Sequence, residues 1–299
     1  MSQLPLDKYS SLIYLKNNYI PSMLYLNRNE AIINELLDTL LKESYNFDIV
    51  EIPSGYTDKR NLLRGLLNAR EAKPLDIEFL QKLDSLLQTE LKEKGIVKVE
   101  QLKTVADLFP NNSFNQSDKF ILWQGDITQL NAHAIVNAAN KYMLGCFQPS
   151  HACIDNAIHS AAGPQLREDC ETIMSLQREL ESTGEAKITR GYNLPAKFVL
   201  HTVGPIVPKG TELTIEQKKQ LASCYTSCLE LANEIAEIKT VAFCAISTGV
   251  FGFPKLEAAH IAINTVNEWL NNHSNHFEKI IFNVFSYEDY QTYLTIFQP

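Results

Sequence analysis

Cys146, His151 and Cys153 fall within eight residues of one another in the run GCFQPSHACIDNAIHSAAG. Two thiolates and an imidazole that close can fill three corners of a zinc tetrahedron. Structural zinc sites as a rule take four protein ligands, whereas catalytic ones take three and keep a position open. No fourth Cys or His stands near in sequence unless His159 turns inward. Asp155 and His159 follow directly, four apart in a run that reads as helical, so they share a helix face. Asp155 is a candidate general base or a carboxylate that orients ligands from behind; His159 is a candidate partner or buttress of the loop. Spacing alone also fits a structural clip or unmetallated core thiols, and ligand type alone admits iron or copper.

Such a segment needs a scaffold, and the chain divides in two. Up to about Asp107 it reads as helix after helix. In NEAIINELLDTLLKE, Ile32, Ile33, Leu36, Leu37, Leu40 and Leu41 form a broad apolar stripe at helical spacing. NLLRGLLNAREA and DIEFLQKLDSLLQTELKEK repeat the pattern around Lys73-Pro74, where a helix should end. No motif with a mechanism occurs there, so a helical cap or dimerisation element is expected. The Asn- and Ser-rich stretch FPNNSFNQSDK reads as a boundary loop. Residues 1–117 are therefore expected as a helical region and 118–299 as a second domain.

In that second domain the pattern alternates. FILWQGDIT, AIVNAAN, AKITRGYNL, FVLHTVG, TVAFCAIST and KIIFNVFS read as strands. CIDNAIHSAAGPQLREDCETI, the stretch from Thr214 to Glu237, KLEAAHIAINTVNEWLNN and YEDYQTYLTIF read as helices. Alternation of this kind implies a largely parallel sheet covered on both faces. Ligands in such sheets bind beyond the carboxyl ends of the strands, which directs attention to the loops after QGDIT, VNAAN and CAIST.

Bulk composition limits the function. The 299 residues are 45% hydrophobic and 21% charged, ordinary for a globular protein. A net charge of -8 argues against bulk attraction to nucleic acid or anionic membranes. No apolar run approaches the ~20 residues that span a bilayer, and MSQLPLDKYSSLIYL lacks the pattern of a signal peptide. All six cysteines lie between Cys146 and Cys244, which suits a reducing compartment. A cytoplasmic protein is expected. Cys170, Cys224, Cys228 and Cys244 are read as core residues, and His201, in VLHTVGP, as a strand-end histidine with its hydrogen bonds satisfied.

The order QGDIT, AIVNAAN, CIDNAIHSAAG, GEAKITRGYNLPAKFVLHTVGP, AISTGVFGFP resembles a macrodomain, the ADP-ribose-binding module. The resemblance implies a three-layer α/β/α fold with a mixed central sheet, after an N-terminal all-helical region. The Cys-x4-His-x-Cys insertion is similar to that of the zinc-dependent macrodomains, microbial protein ADP-ribosyl hydrolases with a helical extension of the same kind. These are often encoded beside a sirtuin-type ADP-ribosyltransferase and lipoyl-carrier genes, so a lipoyl-carrier-like substrate is implied.

The resemblance also distributes roles. Asp126 and the amide of Ile127 read the adenine, and Asn137 and Asn140 hold the distal ribose. Ser247, Thr248, Gly249, Val250, Phe251, Gly252 and Phe253 form the diphosphate loop, with Phe253 packing on ribose or adenine. Physical reasoning agrees: an Asn amide both donates to and accepts from vicinal hydroxyls, and Gly-rich turns present backbone amides to anions. The expected activity is zinc-dependent removal of mono-ADP-ribose from protein side chains, with Zn2+ on Cys146, His151 and Cys153 and catalysis by Asp155, Asn140 and His159. The alternative is an ADP-ribose reader with a structural zinc. A zinc deaminase fits poorly, because Cys153 stands where its Glu should be and no Pro-Cys-x-x-Cys occurs.

Overall fold

The computed structural model describes residues 4–25, 30–43 and 51–299. Helix α1 (Leu6–Tyr9) is followed by α2 (Glu30–Glu43), α3 (Tyr56–Ala69) and α4 (Ile77–Lys94). Asn29, the first residue of the helix expected there, lies outside the described residues. Ile32, Ile33, Leu36, Leu37 and Leu40 are buried on α2 as their spacing predicts. Helix α4 starts where the Asp76 side chain accepts from the Glu78 amide and stops at Gly95, whose φ of 87° ends the helical path. These three helices share a core of their own, with Leu63, Phe79 and Leu83 at its centre.

Strand β1 (Val97–Lys98), the short helix α5 (Val105–Leu108), β2 (Phe120–Gln124) and β3 (Leu130–Asn131) lead into β4 (Ala134–Ala139). Next come α6 (Ile154–Ala162), α7 (Pro164–Gln177), β5 (Ala186–Arg190), β6 (Phe198–Val203), α8 (Ile215–Asn233), β7 (Thr240–Phe243), α9 (Lys255–Asn272), β8 (Lys279–Val284) and α10 (Tyr287–Phe297). The helix expected across CIDNAIHSAAGPQLREDCETI is thus two. Gly163, at φ 100°, closes α6, and Pro164 opens α7, where its missing N–H costs nothing.

The six-stranded sheet runs β2-β8-β7-β4-β6-β5. Five strands are parallel and β5 is antiparallel to β6, so the sheet is mixed. Helices α8, α9 and α10 pack on one another in one layer, and α6 and α7 form the other. The strands are buried almost throughout, which is why they read as apolar runs rather than alternations.

The sheet's core reaches back across the expected boundary at 117/118. Tyr9, Ile13, Leu15, Val99 and Val105 belong to it, and β1 pairs with β3. The Tyr9 hydroxyl accepts the Ile188 amide on β5 at 3.1 Å. Within the Asn- and Ser-rich stretch, Phe114 packs edge-on to Phe297 at 5.6 Å, so hydrophobic contact holds this loop down. Among the described residues no helix is long and apolar enough to cross a membrane.

Candidate active site

Because β2, β8, β7, β4 and β6 are parallel, their carboxyl ends and the loops beyond them meet at one edge. Asp126 follows β2, Asn140 and the Cys/His segment follow β4, Gly204 follows β6, and Ser247–Phe253 follows β7. The sheet therefore gathers the five motifs that the sequence keeps far apart.

The ligand atoms of Cys146, His151 and Cys153 lie within 4.8 Å of one another. Cys146 Sγ and His151 Nδ1 are 3.6 Å apart. Cys153 is also the N-cap of α6, its Sγ accepting the Asn156 amide at 3.4 Å. Burial pushes the Cys153 thiol up to about 11, against the pull of that amide. The donor set is part-exposed, so an ion held there can be reached from solvent.

Asp155 lies in the first turn of α6, two residues beyond Cys153, and is 5% exposed. Its Oδ1 accepts from Asn137 Nδ2 at 2.8 Å and its Oδ2 from Asn140 Nδ2 at 3.3 Å. Burial pushes its carboxyl up to about 6, with the two amides and the Arg167 charge acting the other way. Asn140 is half-buried and also donates to the Gly145 carbonyl at 3.1 Å, which ties the start of the Cys/His loop to the catalytic candidate.

Asn137 does not face a ligand as expected. It is fully buried, and its Nδ2 hydrogens go to Asp155 and, at 3.1 Å, to His201 Nδ1. It therefore orients Asp155 from behind. His201 is satisfied, as expected, but it lies inside β6 rather than at a strand end, with Nε2 at 2.9 Å from Thr189 Oγ1. That accounts for the second cluster among the described residues, His159, Cys170 and His201, because both His201 nitrogens are already engaged. His159 lies 3.5 Å from Asp155 Oδ1, and burial holds its pKa well below the usual value, so it stays neutral. A Cβ on Gly145 would meet its ring at 2.9 Å. His159 is the floor under the loop and is closed off from solvent.

Asp126 takes the Thr128 amide and hydroxyl on Oδ1, at 3.0 and 2.7 Å. Oδ2 and the Ile127 amide have no partner among the described residues. A cavity of about 150 Å³ opens beside Asp126, walled by Arg60, Arg64, Glu90 and Lys94 of the N-terminal helices. In the Ser247–Phe253 loop, none of the amides of Gly249, Val250 and Phe251 is spent on a carbonyl among the described residues. Three successive free N–H groups can cradle an anion without a cation. Ser247, at φ 64°, packs its Oγ against Gly204, where any Cβ would stand 2.0 Å away. Phe253 differs from expectation. Its ring is in the core, 2% exposed, and its amide bonds Ser247 O at 3.0 Å, so it anchors the loop from below.

One residue escaped sequence reasoning. Phe285 is 80% exposed just past β8, and its carbonyl accepts from Gln124 beside Gly125-Asp126. A flat apolar ring so exposed near Asp126 offers a stacking surface. The only signal in the sequence was an aromatic residue one position after the last strand.

The Macro domain family matches residues 136–262. A protein-ADP-ribose hydrolase of Staphylococcus aureus (strain MSSA476) is 43% identical over 274 residues, covering 91% of this chain and 97% of its own length. The chain belongs to this macrodomain family. A protein-ADP-ribose hydrolase of Treponema medium is 47% identical over 258 residues, 86% of this macrodomain protein and 95% of the relative. Among solved structures, a Trypanosoma brucei macrodomain in complex with ADP-ribose matches at TM-score 0.58 and 31% identity, over 78% of this chain and 94% of that one. The macrodomain fold expected from the five motifs is thus the fold found.

Proposed function

We propose that this macrodomain protein removes mono-ADP-ribose from modified protein side chains, with a zinc ion on Cys146, His151 and Cys153. One observation carries the reading: a buried carboxylate, Asp155, oriented by Asn137 and Asn140, stands two residues beyond a Cys2His set whose ligand atoms lie within 4.8 Å of one another. The distance between ligand atoms fits zinc. A sulfur about 2.3 Å and a nitrogen about 2.0 Å from one ion are about 3.5 Å apart at the tetrahedral angle and about 3.1 Å at a right angle. The 3.6 Å between Cys146 Sγ and His151 Nδ1 lets both atoms share one such ion.

Asp126 and the Ile127 amide hold the adenine, and the amides of Gly249 to Phe251 hold the diphosphate. Asn140 orients the distal ribose, while Asn137 keeps Asp155 in register. Asp155 accepts a proton from the water that attacks the anomeric carbon, and the bond from that carbon to the acceptor side chain breaks. Zinc held by Cys146, His151 and Cys153 would supply a fixed positive charge and Lewis acidity. The second reading, an ADP-ribose reader with a structural ion, draws on the additional role of Cys153 as the cap of α6.

We further infer that residues 118–299 form the catalytic domain and that the protein acts in the cytoplasm. A lipoyl-carrier-like protein modified by a sirtuin-type transferase is the substrate suggested by family resemblance. The test is release of ADP-ribose from a mono-ADP-ribosylated protein by the enzyme as isolated, after chelation, and after zinc is added back. Loss on chelation and recovery with zinc is expected. Binding of ADP-ribose without release in any sample would leave the reader.

A further inference from the structure

The N-terminal helices carry no motif, yet one of them grips the loop that bears the metal-ligand candidates. Asn68, near the end of α3, is 2% exposed. Its Oδ1 accepts the Ser150 amide at 3.1 Å, and its Nδ2 donates to Ser160 Oγ on α6 at 3.0 Å. Ser150 has φ 54°, a left-handed conformation that a non-glycine residue adopts at a cost. The residue after it is His151. Asn68 therefore holds the strained peptide that aims the imidazole.

The same helix reaches the loop at two more points. Arg64 Nη2 donates to Asn156 Oδ1 at 2.7 Å. Asn156 in turn donates from Nδ2 to Gln148 O at 3.1 Å and from its amide to Cys153 Sγ. From the other side, Arg167 on α7 donates to Leu144 O at 2.7 Å, to Leu67 O at 3.1 Å and to Arg70 O. One buried guanidinium thus fastens the start of the loop to the end of α3. At Gly65 the helix backbone comes so close that an added Cβ would touch Pro149 at 3.5 Å.

We propose that α3 is the element that positions the metal loop, with Asn68 as the positioning residue for His151. The proposal rests on Cys146, His151 and Cys153 being zinc ligands. Residues that orient ligands from behind typically change metal affinity by roughly 10- to 100-fold when lost, and a left-handed residue without its hydrogen bond relaxes toward other backbone angles. The helical region is then part of the catalytic apparatus at one remove, in place of the cap or dimerisation element its sequence suggested.

The experiment is zinc affinity by chelator competition on the full chain, with thermal stability and ADP-ribose binding of the zinc-stripped proteins measured in parallel. Asn68→Ala is expected to weaken zinc roughly 10- to 100-fold and to leave ADP-ribose binding by the stripped protein unchanged. Ser160→Ala removes the other hydrogen bond of Asn68 together with the one Ser160 donates to Asn156 Oδ1 at 3.2 Å, and is expected to weaken zinc by less than Asn68→Ala. Ser150→Gly, which takes a positive φ freely, should restore much of the affinity lost in Asn68→Ala. Arg64→Ala, on the half-exposed side of the grip, should shift zinc affinity in the same direction by less, and it tests the proposal even where Asn68→Ala does not fold.

Wild-type zinc affinity in Asn68→Ala or Arg64→Ala, with zinc lost from Cys146→Ala, would overturn the positioning role alone. An equal loss in Ser160→Ala would reduce Asn68 to a packing residue. If wild type and Cys146→Ala take up zinc equally poorly, the ligand assignment fails first and the positioning role falls with it.

Discussion

Two loops meet at the same edge of the sheet and are held in opposite ways. The loop from Asn140 to Cys153 is fastened by side chains from elsewhere: Asn68 and Arg167 grip its backbone, Arg64 reaches it through Asn156, and His159 supports it from beneath. The loop from Ser247 to Phe253 is held mainly by its own backbone, through Phe253 N to Ser247 O, Gly252 N to Gly249 O and Val207 N to Phe251 O. The difference follows from what each must present. A metal or a water is gripped by side chains, whose directions depend on many dihedral angles, so that loop needs outside support. An anion is gripped by amides, and a backbone turn that fixes itself has already fixed them.

This contrast can be broken by substitution. Cys153→Ala should abolish stoichiometric zinc and turnover together; a variant that retains both would remove the side-chain loop from the chemistry. Asp155→Ala should lower kcat by about 10²–10⁴-fold while ADP-ribose still binds, measured by single-turnover release alongside calorimetry. A similar loss confined to KM would instead make Asp155 a binding group. In the backbone loop the important substitution is Gly252→Ala. Gly252 has φ 71°, and a Cβ there would stand 2.8 Å from Val207 O, so ADP-ribose affinity should fall by about 1–2 kcal/mol. Full affinity would show that the turn tolerates a side chain and that its amides are not rigidly placed. Val250→Ala trims an exposed side chain and keeps the amide, so affinity should stay within about 0.5 kcal/mol of wild type. A large loss would mean that the Val250 side chain, and not the backbone, makes the contact.

The two loops also differ in how far sequence could reveal them. Cys146, His151 and Cys153 were legible as a group because side chains on one loop are neighbours in the chain, and the structure brings their ligand atoms within 4.8 Å. Ser247–Gly252 was legible because glycines mark where a backbone turns. The alternation of strands and helices, with turn residues between them, was enough to expect a sheet open at one edge. What sequence hid lay in contacts between distant segments. Asn68 meets Ser150 across 82 positions and Arg167 meets Leu67 across 100, and no periodicity encodes a side chain bonding a remote carbonyl. Burial was similarly hidden. Asn137 and Asn140 look equivalent in VNAAN, yet strand alternation turns Asn137 toward His201 and leaves Asn140 at the loop. The ring of Phe253 faces inward for a comparable reason, because the loop's turn must be anchored to the core somewhere.

The hydroxyl of Tyr9 on the Ile188 amide has a consequence for solubility. β5 is the last strand of the sheet, and a strand in that place offers unpaired amides to any other chain in solution. The first segment of the polypeptide covers that margin, with Ile13 and Leu15 packed in the same core. A truncated form that begins after Tyr19 keeps every residue assigned to the chemistry but leaves a β-edge uncovered. Such a fragment should self-associate at concentrations where the full chain does not, through strand-to-strand pairing rather than through loss of the catalytic loops.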